Sequence, residues 1–99
     1  MAVYLSEPIH PDSYALLKSE TEIVEDFSIP KKIEGLITRN IKVDKGLMDH
    51  LPNLKVIGIH GSGCDDVDIE EAKKRHIKVF NTPNQNSTSV AEMIVMFML

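Results

Sequence analysis

The stretch LKVIGIHGSGCDDVDIEEAKKRHIKVFNTPNQNSTSVAEMIVMFML, residues 54–99, decides the fold. Its first segment, Lys55-Val56-Ile57-Gly58-Ile59-His60, is continuous, β-branched and apolar, the pattern of a strand buried on both faces. A glycine loop follows, and then Asp68 stands where it can cap a helix. That helix carries Glu70 and Glu71 in its first turn and Lys73, Lys74 and Arg75 in its last, which complements the helix dipole at both ends. His76 falls where the chain must leave the helix, and residues 77–80 form another strand. An Asn/Ser-rich loop leads into a final apolar helix, expected to begin near residues 87–89, where Ser89 and Glu92 have capping-box spacing.

Working outward, residues 2–5 suit a first buried strand closed by Ser6, Glu7 and Pro8. Pro11, Asp12 and Ser13 open a helix bearing Tyr14, Leu16 and Leu17. Residues 22–25 make a brief second strand. Pro30 limits residues 27–33 to a single helical turn, and residues 35–38 make a third strand. Asp44 caps a helix that runs to His50 and stops before Pro52. Strands alternating with helices, and apolar throughout, imply a parallel sheet covered on both faces. Five strands in this order suit a flavodoxin-like α/β fold, because right-handed crossovers leave few alternatives. Ligands of such sheets sit beyond the carboxyl ends of the strands, here residues 6–8, 39–40, 61–66 and 81–86.

Composition narrows the function. Ninety-nine residues allow one domain with one modest core. A formal charge of −4 leaves no basic face for nucleic acid. The single cysteine, Cys64, permits neither an internal disulfide nor a thiolate metal cluster, and a reducing cytoplasm is the expected compartment. The start, MAVYLSEP, lacks a signal-peptide layout, and the apolar residues 90–99 are too short to span a bilayer. The histidines His10, His50 and His76 share no metal-ligand spacing, and no metal site is expected. His60 at the end of the best strand is expected to bond locally at the rim.

The loop Gly61-Ser62-Gly63-Cys64-Asp65-Asp66 invites comparison with a dinucleotide fingerprint, but Asp66 occupies the place of the third glycine. Asp65, Asp66 and Asp68 would also meet a pyrophosphate with like charge. Two readings stay open: a tight strand-to-helix turn, or a turn whose amides at Ser62 and Gly63 hold one carboxylate. The acidic trio itself is expected to bond locally as turn and cap residues. A phosphorylation-switch receiver needs acids after the first strand and an aspartate after the third, where Glu7-Pro8 and Arg39-Asn40 stand instead.

Four motifs, LKVIG (54–58), GSGCDDVD (61–68), NTPNQNS (81–87) and SVAE (89–92), resemble the D-isomer-specific 2-hydroxyacid dehydrogenases, above all their 3-phosphoglycerate branch. The resemblance covers nearly half the chain. It implies the amino-terminal part of a substrate domain occupying residues 1–99, with 88–99 beginning the helix to a nucleotide-binding domain. It implies that backbone amides of Gly61, Ser62 and Gly63 meet the carboxylate of a 2-hydroxy or 2-oxo acid, with Asn86 in the cleft. Ser62 and Val90 would approach the nicotinamide of NAD. Asp66 replaces a common asparagine, and Gln85 a frequent glycine of the phosphoglycerate branch. The family's nucleotide fingerprint, carboxylate-binding arginine and Glu/His pair would lie beyond Leu99, so this chain alone contains no catalytic residue and is expected to be inert. The alternative is a free-standing binding or assembly module derived from the same domain. Met93, Met96, Phe97 and Met98 are expected as buried helix surface in excess of what the domain can hide, which calls for a partner domain or a homo-oligomer such as a dimer.

Overall fold

The computed structural model describes residues 2–6, 11–38, 41–59, 66–81 and 87–98, the last group without the side chains of 87–90 and 98. Five parallel strands, β1 (Ala2–Leu5), β2 (Glu22–Val24), β3 (Ile33–Thr38), β4 (Val56–Ile59) and β5 (Lys78–Asn81), lie in the order β2-β1-β3-β4-β5. This is the flavodoxin-like order expected from the alternation of elements. Helices α1 (Pro11–Glu20), α2 (Lys45–His50) and α3 (Ile69–Lys74) provide crossovers, with a 3-10 turn at Pro30–Lys32 in place of a helix between β2 and β3, and α4 (Ser87–Met98) follows the last strand.

The sheet separates two apolar layers. On one face Leu17 of α1 and Ala91 and Ile94 of α4 bury against Val3, Leu5, Ile37 and Val56. On the other, Met48 of α2 and Ala72 of α3 pack with Leu36, Ile57, Ile59 and Val43. Every residue of β4 is buried, so its lack of polar alternation follows from having helices on both sides.

Local chemistry sets the helix ends. Asp44 Oδ1 accepts from Leu47 N–H at 3.0 Å, and Asp68 Oδ1 accepts from Glu71 N–H at 3.1 Å, so both expected caps are made. Arg75 bonds Glu71 at 2.9 Å and also reaches Asp49, tying α3 to α2. The hydrogen bond from Arg75 holds the Asp49 carboxyl below its usual pKa.

Several expected boundaries shift. Strand β3 starts two residues before residue 35, because Ile33 pairs with Ala2 and the charge of Glu34 is met by Lys55 at 2.8 Å. Strand β5 covers Lys78–Asn81 rather than residues 77–80, because Ile77 N–H is used by the helix end, donating to Ala72 O at 2.9 Å. Helix α4 begins at Ser87, so Ser89 lies inside it and is not its cap. Met96, 63% exposed, and Phe97, 39% exposed, are part of the expected apolar excess that this domain does not hide, since Ala91 and Ile94 take the inward stripe. Strands β2 and β4 are slightly shorter than residues 22–25 and 55–60, and His60 lies outside the described residues.

Candidate functional site at the carboxyl edge of the sheet

All five strands run the same way, so Leu5, Thr38, Ile59 and Asn81 end on one edge. Register fixes them side by side: Leu5 pairs with Ile37, Thr38 with Ile59, and Ile59 with Asn81. The pairing of Ile59 with Asn81 has a direct consequence for the site. Ile59 and Asn81, the last described residues before the glycine-rich and the amide-rich segments of the sequence, are thus partnered on adjacent strands.

Their re-entry points are equally fixed. The first rejoins described structure at Asp66, whose carbonyl accepts from Val43 N–H at 2.6 Å, while Asp68 N–H donates to Val43 O at 2.9 Å. This isolated parallel bridge between Val43 and Val67 clamps the β3–α2 and β4–α3 crossovers together beyond the strand ends. Val43 and Val67 are both buried, so the clamp has an apolar underside. The second segment re-enters as the start of α4, which is held to the sheet by Ala91 and Ile94 at 0% exposure.

Of the residues singled out in the sequence, Gly61, Ser62, Gly63 and Asn86 lie outside the described residues, as do Glu7, His10, Arg39, Asn40, His60, Cys64, Asp65 and Gln85. Val90 lies in the first turn of α4, with its side chain outside the described residues. Of the acidic group, Asp68 is committed to its cap, and Asp66 joins the clamp through its carbonyl. Among the described residues no three His, Cys, Asp or Glu side chains gather as metal ligands, and no helix is long and apolar enough to cross a membrane.

Sequence reasoning placed residue 6 on the rim without assigning it a role. Ser6 N–H donates to Ile37 O at 3.1 Å, extending the β1–β3 ladder past the strand end. Its Oγ is buried and has no hydrogen-bond partner among the described residues. A buried hydroxyl without a partner is costly, so among the described residues this Oγ is the rim group that a ligand or water would satisfy. Thr38, the last residue of β3, is 2% exposed, and its Oγ1 accepts a long 3.4 Å bond from Ile41 N–H.

The same edge is unsuited to a nucleotide's pyrophosphate at α3. The entrance of that helix carries Asp66, Asp68, Glu70 and Glu71, which oppose a second polyanion.

A doubly wound parallel sheet in the order β2-β1-β3-β4-β5 defines the class: an α/β domain of the flavodoxin-like kind. The chain belongs to the D-isomer specific 2-hydroxyacid dehydrogenases, whose catalytic-domain model matches residues 3–95. It is 32% identical to a hydroxypyruvate reductase of Thermotoga maritima over 98% of its own length and 35% of that protein. It is 35% identical to the D-3-phosphoglycerate dehydrogenase of Homo sapiens, over 92% of this chain and 19% of the relative. Among solved structures, the NAD+-bound 3-phosphoglycerate dehydrogenase of Entamoeba histolytica superposes with a TM-score of 0.70 at 26% identity, covering 99% of this chain and 38% of the other. The chain therefore spans about a third or less of the length of these curated relatives.

Proposed function

We propose that this chain is the substrate-binding domain of an NAD-dependent oxidoreductase acting on the CH–OH group of a D-2-hydroxy acid. The observation that carries this reading is the pairing of Ile59 with Asn81 within a chain matched by the family over residues 3–95. That register launches the glycine-rich and amide-rich segments from neighbouring strand ends. On this reading the amides of Gly61, Ser62 and Gly63 hold the substrate carboxylate, and Asn86 lines the cleft. Amides converging on an anion suit this task because they add positive potential without a side chain that must be ordered or neutralised.

Ser62 and Val90 are assigned to the nicotinamide side. The cofactor supplies or accepts the hydride when bound, and the acidic entrance of α3 gives this chain no seat there for its phosphates. We therefore assign the nucleotide-binding part, the carboxylate-binding arginine and the acid/base pair to a further domain entered through residues 88–99. The chain by itself is expected to turn over no substrate. A phosphoglycerate-like acid is the favoured substrate, in keeping with the relatives named for that activity, and a cytoplasmic homo-oligomer the favoured setting.

The test is kinetic and uses the full-length enzyme. Gly63→Leu should raise KM for the hydroxy acid by about tenfold or more, because a side chain would fill the space over the amides. An unchanged KM would remove the carboxylate-loop assignment. Comparing kcat/KM for 3-phosphoglycerate and for hydroxypyruvate decides the substrate preference.

A further inference from the structure

A second surface lies away from the carboxyl edge. Strand β5 is the outer strand of the sheet, and beside it runs a groove of about 510 Å³ lined by Ile69, Lys73, His76, Ile77, Lys78 and Val79. Ile69, Ile77 and Val79 are its apolar lining residues. Its margins are Lys73, His76 and Lys78, all exposed, and none pairs with an acidic side chain among the described residues. Arg75, by contrast, is occupied by Glu71 and Asp49, and Glu71 is thereby neutralised. Glu70 is the acid nearest the groove in sequence, beside Ile69 and four residues before Lys74.

The backbone of β5 supplies the second half of the argument. Lys78 N–H donates to Lys55 O at 2.9 Å, so Lys78 turns its peptide groups toward β4. Successive residues of a strand alternate, and Val79 therefore turns its N–H and C=O away from β4, to the outer edge. An outer strand with free peptide groups is a template for another strand. Lysines along it repel a second copy of the same basic edge, and they attract an acidic one.

We propose that the β5 edge is a docking site for an extended acidic segment of a partner protein, which adds to the sheet as a sixth strand. The segment exchanges hydrogen bonds with Val79, rests apolar side chains on Ile69, Ile77 and Val79, and sets carboxylates against Lys73, His76 and Lys78. Backbone pairing supplies affinity and the lysine margin supplies selectivity. This site is independent of the hydroxy-acid reading.

The experiment is fluorescence anisotropy with a short labelled peptide of alternating glutamate and valine. Saturable binding is expected, weakened about tenfold or more in three arms. These are a peptide with lysine in place of glutamate, a peptide N-methylated along one edge, and the protein carrying Val79→Pro, which removes the outward N–H together with a side chain packed on the core. The double change Lys73→Glu with Lys78→Glu should weaken it similarly. Circular dichroism checks that the variants fold, and the two altered peptides test the proposal on the unchanged protein. Absence of binding overturns the proposal. So does equal binding of the N-methylated peptide with displacement by tripolyphosphate, which would make the groove a small-anion site.

Discussion

His76 has φ of 59°, the one positive φ outside glycine among the described residues. It occupies the position just past the end of α3 where glycine is usual. His76 N–H donates to Lys73 O at 3.1 Å and Ile77 N–H to Ala72 O at 2.9 Å, the paired bonds of a Schellman ending, with Ala72 and Ile77 both in the core. The sequence placed His76 at the exit of the helix, but nothing in an imidazole announces a left-handed backbone. His76→Gly should relieve the strain and stabilise the fold by about 1 kcal/mol, raising Tm by roughly 4–8 °C. An unchanged or lower Tm would show the conformation to be unstrained. The two aspartate caps, in contrast, were readable because Asp before a charged or apolar helix start has few other uses. Asp68→Ala should cost about 1 kcal/mol in denaturant unfolding.

At the scale of elements, β4 and the helices flanking it were legible because their patterns leave little choice. A strand buried on both faces is apolar at every position, as β4 is. Boundaries moved where one residue served two neighbours. Ile77 ends α3 instead of starting β5, and Glu34 enters β3 because Lys55 answers its charge. Helix α4 showed its apolar excess in the sequence but not which residues carry it. Its residues are apolar on nearly every side, so composition could not tell the inner stripe of Ala91 and Ile94 from the exposed Met96 and Phe97. Ile94→Ala should therefore destabilise by about 2–5 kcal/mol, whereas Met96→Ala should change stability by no more than about 0.5 kcal/mol. Denaturant midpoints of the two variants check this directly.

For the whole molecule, strand order and the two-layered core followed from alternation and handedness, while the site is legible as an edge more than as a set of contacts. The register at Ile59 and Asn81 could not be read from the sequence, since pairing depends on how each crossover ends. Phe80 and Phe97 approach with ring centroids 5.9 Å apart, and Met96 and Phe97 are the exposed large apolar residues near the end of α4. The chain alone should self-associate through them, at about 25 cal/mol per Å² of apolar surface covered. Sedimentation showing a stable monomer at high concentration would count against this. Acid should weaken the fold through Asp49 and Asp26, whose carboxyls are held below their usual pKa by bonds from Arg75 and Ser28. Their contribution is present at neutral pH and lost as pH falls below about 4 through the lowered values. Thermal melts from pH 7 to pH 3 should show this, with Asp49→Asn flattening part of the decline.

The central claim, that the loop after β4 seats a substrate carboxylate, is tested most directly by titrating the ¹⁵N-labelled chain with D-glycerate. Saturable amide shifts concentrated at Ser62 and Gly63, with Asn86 also moving, and lost in Gly63→Leu, are the predicted result. Shifts that leave those amides unmoved while others respond, or that acetate and a neutral amide reproduce equally, would contradict it.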